Sequence, residues 1–129
     1  MSRVEAHNHH HRSPTCGEFI VQPDKTSIKA GTIKFTGDNQ GSETHEMVVA
    51  KADNAEALPT DADGAVDEEQ FEKGQAQGEV EDVAKGTSKS IELKLTPGRY
   101  VVFCNIVEDE TAEKVSHFKK GMHALITVT

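Results

Sequence analysis

The sequence predicts an all-β domain built as a two-sheet sandwich. Three observations support this fold class: short apolar stretches that alternate with polar residues, Gly and Pro turn signals between them, and no long segment of helical periodicity. The chain has 129 residues, which is enough for one domain with a single core. We therefore expect one β-sandwich domain.

The strands are predicted where alternating or continuous apolar residues lie between turns. Ile91, Leu93 and Leu95 alternate with polar neighbours and give the clearest period of two in the chain. A second apolar run follows the turn at Pro97-Gly98. Including these two segments, the predicted strands are residues 18–21, 26–29, 32–35, 45–51, 91–95, 100–106 and 124–129.

Two segments fall outside this strand pattern. Residues 1–17 are polar, with four His between positions 7 and 11, and are predicted to be a flexible tail before a domain at 18–129. Residues 52–88 lack a sustained period and carry 11 of the 22 acidic residues. We interpret them as a long acidic insertion that crosses between the sheets, in which 66–73 could form about two helical turns.

Charge and composition restrict the classes of partner. The formal net charge is −8, with 22 Asp and Glu against 14 Lys and Arg. Such a surface repels phosphate backbones and anionic lipids, which argues against nucleic-acid or membrane-surface binding and favours a cationic protein or a metal cation. No apolar run is long enough for a membrane span. No secretory signal is visible, which is expected either for a cytosolic protein or for a mature chain whose export signal has been removed.

The last third of the chain holds a candidate set of metal ligands. Cys104 lies in the run 100–106, His117 and Met122 follow it, and a second imidazole, His45, opens an upstream strand. Each residue alone is equally well explained by ordinary burial or by a loop position. Together, two His, one Cys and a weak axial Met are the ligands of blue-copper electron-transfer sites, whereas zinc usually takes a stronger fourth ligand. We therefore predict one copper ion per chain, held by these four residues.

The two cysteines leave an alternative open. A disulfide between Cys16 and Cys104 would make the domain a metal-free sandwich used for protein contacts. The context of Cys104, at the end of an apolar strand and ahead of His and Met, favours a thiolate ligand instead. His123, directly after Met122, is predicted to point to the opposite face of its strand and not to bind the metal, with substitution of His123 for Met122 as the alternative.

The chain resembles the cupredoxins, in particular the plastocyanin-like copper proteins of bacteria and archaea. The resemblance rests on His45-Glu46-Met47-Val48-Val49, on residues 97–106 from Pro97-Gly98 through Phe103-Cys104-Asn105-Ile106, and on His117-Phe118-Lys119-Lys120-Gly121-Met122-His123, and it covers about residues 18–129. It implies a Greek-key β-sandwich with copper near one end. His45 and His117 would be the imidazole ligands, Cys104 the thiolate and Met122 the axial thioether.

The resemblance also implies supporting contacts and one departure. Asn105 and the backbone amides near His45 are expected to fix the ligand loop and to hydrogen-bond the sulfur. The departure is the loop before the second His, because the acidic insert 107–116 places Cys104 and His117 thirteen residues apart. A longer loop costs little to close. We expect the metal site to be retained and the docking surface around His117 to be altered.

These observations lead to two functional hypotheses beside the metal-free one. The first is an exported, extracytoplasmic blue-copper protein that carries one electron between redox partners, one or more of which has a basic docking surface. The second is a copper-binding or copper-delivery protein in which redox change is incidental. Neither is an enzyme, because four protein ligands leave no open position for a substrate.

Overall fold

The chain folds mainly into β-strands, with almost no helix, in the residues that the structure describes, which are 2–7, 26–39, 43–108 and 115–129. The structure is a computed structural model. Its strands are β1 (Ser2–His7), β2 (Ser27–Ile28), β3 (Gly31–Asn39), β4 (His45–Lys51), β5 (Ala76–Val83), β6 (Ser88–Leu95), β7 (Gly98–Phe103), β8 (Val107–Glu108), β9 (Val115–Ser116) and β10 (His123–Val128). The all-β prediction is confirmed.

Two sheets form the sandwich. The first has the order β1-β3-β6 and the second the order β2-β10-β7-β4-β5. The chain changes sheet between β3 and β4, between β5 and β6, and between β6 and β7, as the crossing connections of a Greek key require. In the second sheet β2 and β10 are parallel, whereas the other neighbouring strands are antiparallel.

The core between the sheets is built from residues that alternate along the strands. Ile33 and Phe35 of β3 meet Tyr100 and Val102 of β7, and all four are fully buried. The Tyr100 hydroxyl donates a hydrogen bond to the carbonyl oxygen of Thr96 at 2.7 Å, so its polar group is satisfied inside the core. The remaining buried members are Ile28, Met47, Val49, Val80, Val83, Leu95, Ile126 and Val128.

The segment predicted to be a flexible tail contains a strand. Ser2–His7 pairs antiparallel with β3, from Ser2 opposite Asn39 to His7 opposite Lys34. Because β6 occupies one edge of β3, the other edge has backbone groups free to accept a further strand. The flexible-tail prediction is therefore corrected for residues 2–7. Residues 8–17 and the strand predicted at 18–21 lie outside the described residues, and the domain boundary at residue 18 stays a prediction.

The acidic insertion is more structured than its sequence indicates. It does not simply cross between the sheets, because its last part is β5, which pairs antiparallel with β4 and extends the second sheet. The helix of about two turns predicted at 66–73 is wrong, since the segment has a single 3₁₀ turn at Glu68–Gln70, capped by the Asp67 side chain. A second 3₁₀ turn lies at Ala55–Ala57.

The first part of the insertion covers the outer face of the second sheet. Leu58 and Val66 are buried there against Val48 of β4 and against Val101 and Phe103 of β7. This second cluster is completed by Ala50, Phe118 and the partly buried Ala52, Ala55 and Phe71. Strands β4 and β7 are therefore covered on both faces, and this double burial explains why their sequences are continuous apolar runs.

Candidate metal centre

The strand order brings the predicted ligands to one end of the sandwich. In the second sheet β7 lies between β10 and β4 and is antiparallel to both. The end of β7 therefore meets the starts of β4 and β10. His45 is the first residue of β4, Cys104 directly follows β7, and Met122 directly precedes β10. His117 follows the short strand β9 and enters from the loop above them.

Three of the four predicted ligands form a compact buried cluster. The Nδ1 atoms of His45 and His117 are 3.1 Å apart, and the Sγ atom of Cys104 lies 3.8 Å from the first and 3.4 Å from the second. The exposed fraction is 3% for His45 and 0% for Cys104 and His117. The two imidazole rings meet edge to face at 61°. The two imidazoles and the thiol therefore lie close enough together to hold one metal ion.

The donor set and its spacing fit a single metal ion. Metal bonds of about 2.0–2.1 Å to imidazole and about 2.3 Å to thiolate place three ligands of a trigonal site about 3.5–3.8 Å apart. The observed separations of 3.1, 3.4 and 3.8 Å are close to that range. A soft thiolate with two imidazoles also suits copper chemistry. His45, Cys104 and His117 are thus placed to hold a metal through Nδ1, Sγ and Nδ1.

Met122 is joined to the cluster through its backbone. The Cys104 N–H donates to the Met122 carbonyl oxygen at 3.0 Å, and the Met122 N–H donates to the His117 carbonyl oxygen at 3.1 Å. The Met122 side chain is almost completely buried. These bonds close the His117–Met122 loop beneath the site. The coordination role of the Met122 thioether, like the ligand roles of the other three, stays a prediction.

The cysteine sulfur lies in an environment that disfavours a free thiolate. Burial raises the pKa of the Cys104 thiol to about 11, although backbone amides of Glu46 and Ile106 act in the opposite direction. The Glu46 N–H reaches Sγ at 3.4 Å, which confirms the expected amide contact near His45. The thiol is therefore protonated when no metal is bound. A metal cation would supply the positive charge that a buried thiolate needs.

A β-bulge lies beside this amide. Between the pairs His45–Val83 and Met47–Val80, the single residue Glu46 of β4 faces both Glu81 and Asp82 of β5. Asp82 has a φ of 53°, the left-handed conformation that such irregularities use. The bulge thus interrupts the regular pairing of β4 with β5 beside Glu46, the residue whose N–H reaches the sulfur.

Asn105 connects the ligand loop to the acidic insertion. Its side-chain amide donates to the Val66 carbonyl oxygen at 2.9 Å and accepts from the Val66 N–H at 2.8 Å, and it also donates to Glu68 Oε2 at 2.9 Å. Its backbone N–H donates to Glu46 Oε1 at 3.1 Å. The expectation that Asn105 fixes the loop is thus confirmed. The partner segment, residues 66–68 of the insertion, was not predicted from the sequence.

Two carboxylates lie on the outer edge of the His117 imidazole: Glu108 from the long loop before His117, and Glu43 from the segment before β4. At the base of the long loop, β8 and β9 pair antiparallel, with Glu108 opposite Val115. Glu108 Oε1 lies 2.9 Å from His117 Nε2, and Glu43 Oε2 lies 3.8 Å from the same atom. Hydrogen bonds with Glu43 and with His117 hold the pKa of Glu108 below its usual value, against the effect of burial. The sequence showed that the loop is acidic, but nothing in it distinguished Glu108 or Glu43 from the other acidic residues.

His123 and Cys16 were the other candidates considered from the sequence. His123 is partly buried, and its ring packs on Phe118 with centroids 5.0 Å apart. That it does not bind the metal stays a prediction. Cys104 is a free thiol, so the alternative Cys16–Cys104 disulfide is wrong. Cys16 and the His residues at positions 9–11 lie outside the described residues.

The fold and the cluster together define a class. A Greek-key sandwich with His45, Cys104 and His117 gathered at one end is a cupredoxin-fold protein with a His–Cys–His cluster. A solved structure supports the fold assignment. The crystal structure of Na-dithionite reduced auracyanin from the photosynthetic bacterium Roseiflexus castenholzii is similar over 98% of this chain and 94% of that chain, with a TM-score of 0.62 and 19% sequence identity.

The sequence comparisons are negative. No protein-family model matches the chain, and no curated protein matches it. At 19% identity the auracyanin likeness shows the fold, and the chemistry assigned to this chain must come from its own residues. The expected cupredoxin architecture is therefore confirmed at the level of the fold.

Proposed function

We propose that this protein is a type 1 copper protein that carries one electron at a time between redox partners. The observation that carries the proposal is the buried cluster of His45, Cys104 and His117 on a cupredoxin fold. These three residues would hold one copper ion per chain, with Met122 as the weak axial ligand. Such a ligand set suits copper in both oxidation states.

The surrounding residues support fast electron exchange because they keep the ligands fixed. His45 and Cys104 lie at the ends of adjacent paired strands, and the His117–Met122 loop is closed by backbone hydrogen bonds. The cluster is buried, so water is kept from the ligand atoms. Bound copper would supply the one-electron redox couple. The protein contributes a preorganised site that changes little between oxidation states.

We propose that the protein is an electron carrier and not an enzyme. Two imidazoles, a thiolate and the axial thioether as ligands would leave no open coordination position for a substrate. The cupredoxin fold supports the same interpretation. We further propose an extracytoplasmic location. We also propose redox partners with a basic docking surface, because the net charge of −8 would attract such a surface. In the part of the chain that the structure describes, no helix has the length and apolar character to cross a membrane.

Copper titration tests the proposal. Addition of Cu(II) to the metal-free protein is expected to give an intense thiolate-to-copper band near about 600 nm and the EPR signal of a blue site, at one ion per chain. Cys104→Ala removes the band, whereas Met122→Leu, a volume-conserving change, retains it and alters the reduction potential. His123→Ala is the matched control and is expected to retain both the blue band and the wild-type reduction potential. A wild-type protein with no such band would refute the proposal.

Copper delivery remains the second candidate. The observation that favours it is the acidic cover of His117, since Glu108 and Glu43 surround the imidazole edge where metal or electrons would pass. The two candidates differ in kinetics. Rapid self-exchange of electrons with retention of copper supports the carrier, whereas transfer of Cu(I) to an acceptor with slow electron exchange supports delivery.

A further inference from the structure

The outer edge of His117 is held by a carboxylate inside the protein. His117 is fully buried, and its Nε2 atom lies 2.9 Å from Oε1 of Glu108, a hydrogen-bonding distance. The opposite ring nitrogen, Nδ1, faces the cluster, 3.1 Å from His45 Nδ1 and 3.4 Å from Cys104 Sγ. Nε2 of His117 thus contacts the carboxylate, and Nδ1 of the same ring faces the other candidate ligands.

This arrangement selects one tautomer of the ring. A carboxylate only accepts hydrogen bonds, so the contact with Glu108 requires the proton of His117 on Nε2. In the neutral ring the Nδ1 atom then directs its lone pair at the cluster, where in the metal-free protein it accepts from the His45 Nδ1–H or the Cys104 thiol. The same lone pair is the one that a metal requires.

We infer that Glu108 is the positioning residue for His117, the second imidazole ligand. The Glu108 carboxylate locks the Nε2–H tautomer and the orientation of the His117 ring, and it makes that ring a stronger donor toward copper. A carboxylate–histidine–metal arrangement raises the basicity of the imidazole and favours the more highly charged state of the ion. The inference deepens the proposed function and rests on it where copper is concerned. The metal-free tautomer of His117 can be tested independently.

The long loop between Cys104 and His117 builds this contact. Glu108 lies four residues after Cys104, and the pairing of β8 with β9 sets Val107 opposite Ser116, directly before His117. The His117 N–H continues the ladder to the Ile106 carbonyl oxygen at 2.9 Å. The backbone therefore fixes both ends of the Glu108–His117 contact. In this register of β8 against β9, an acidic residue at position 108 reaches His117. This contact is distinct from the general acidity of the loop.

The first arm of the test uses the metal-free protein. Proton-detected ¹⁵N NMR of the imidazoles is expected to show a slowly exchanging His117 Nε2–H in the wild type. Glu108→Gln retains it, because the Gln Oε1 atom can still accept, whereas Glu108→Ala loses the protection. A proton on Nδ1 of His117 in the wild type, or an Nε2–H signal unchanged in Glu108→Ala, would overturn the inference.

The second arm uses copper. Loss of such a supporting contact lowers metal affinity about 10–100-fold, so Glu108→Ala is expected to weaken Cu(II) binding by that factor. Each tenfold loss confined to Cu(II) raises the reduction potential by about 59 mV. Glu108→Gln keeps the hydrogen bond without the charge and gives a smaller rise. Glu92→Gln, an exposed charge loss on β6, leaves the potential unchanged. Equal potentials in the wild type and both Glu108 variants would overturn the copper part of the inference.

The two arms separate this inference from the proposed function. If the wild type forms no blue copper site, the proposed function fails, and the NMR result alone decides whether Glu108 positions His117. If the blue site forms but Glu108→Ala changes neither the Nε2–H signal nor the potential, the inference fails and the proposed function stands.

Discussion

At the scale of single residues, burial favours the neutral form of two acidic groups beside the site. It raises the pKa of the Cys104 thiol to about 11 and is the largest cause that raises the pKa of Glu46 to about 7. Repulsion by Glu79 adds to the shift of Glu46, and the hydrogen bond from the Asn105 N–H reduces it. Metal binding at Cys104 would therefore release a proton, and Glu46 changes charge near neutral pH in the metal-free protein.

Glu46 makes the stability of the metal-free protein depend on pH. Its pKa is about 7 when folded and close to 4.5 when unfolded, so the folded state holds the proton more tightly between these values. Stability therefore falls as pH rises from about 4.5 to 7. Glu46→Gln removes this loss and retains the oxygen that accepts from Asn105. Because Glu46 is only half-buried, solvent screening limits the gain at pH 8 to about 1 kcal/mol.

Thermal unfolding of the metal-free protein checks this prediction. The melting temperature of Glu46→Gln relative to the wild type is expected to be about 4 °C higher at pH 8 than at pH 4.5. Glu92→Gln, exposed on β6, is the control and shows no such pH-dependent difference. A Glu46→Gln difference that is the same at both pH values would contradict the shifted pKa.

At the scale of elements, the acidic insertion acts as a second layer on the sheet that carries the site. Leu58 is buried against the outer face of β4 and β7, although it lies in a segment with no sequence period. If this layer is part of the cooperative fold, Leu58→Ala leaves a cavity and lowers the free energy of unfolding by about 2–5 kcal/mol. Denaturant unfolding followed by circular dichroism measures the change.

Leu125 on β10 provides the matched control for Leu58. It is 39% exposed, so the same truncation removes much less buried surface, and Leu125→Ala is expected to cost less than about 1 kcal/mol. If Leu58→Ala also costs less than 1 kcal/mol, the insertion is not packed as the structure places it.

The strands with one buried face were predictable from their sequence pattern. β6 shows this most clearly, because Ile91, Leu93 and Leu95 alternate with exposed polar residues. β5 was missed because its apolar residues Val80 and Val83 are three positions apart, and the bulge at Asp82 interrupts the period of two. A pattern argument cannot recover a strand whose own geometry breaks the pattern.

The site was predictable to the extent that residue type alone carries chemistry. Cys and His are uncommon and serve as soft or borderline metal ligands, so Cys104, His117 and His45 stood out in sequence. Glu108 did not, because one carboxylate in a chain with 22 acidic residues has no distinguishing signal. Its contact with His117 depends on the register of β8 against β9, which is set by folding and not by a local pattern.

At the scale of the whole molecule, the ends of three strands and the net charge act together. The starts of β4 and β10 and the end of β7 gather the cluster at one end of the sandwich. Acidic groups surround that end, with Glu43 and Glu108 over His117 and with Glu46 near Glu79 and Glu81. The electrostatic potential at this end of the sandwich is therefore negative, and it has the same sign as the net charge of −8 on the whole chain.

Electron exchange with small reagents tests this field in the copper-loaded protein. We expect the rate constant with a cationic reagent such as hexaammineruthenium to fall as salt rises, and that with an anionic reagent such as hexacyanoferrate to increase, because attraction and repulsion are both screened. The difference is greatest near 0.01 M salt, where the Debye length is about 30 Å, and nearly vanishes at 1 M, where it is about 3 Å. Stopped-flow absorbance at the blue band gives both rates. Salt dependences of the same sign for the two reagents would show that the acidic surface does not control access to the copper.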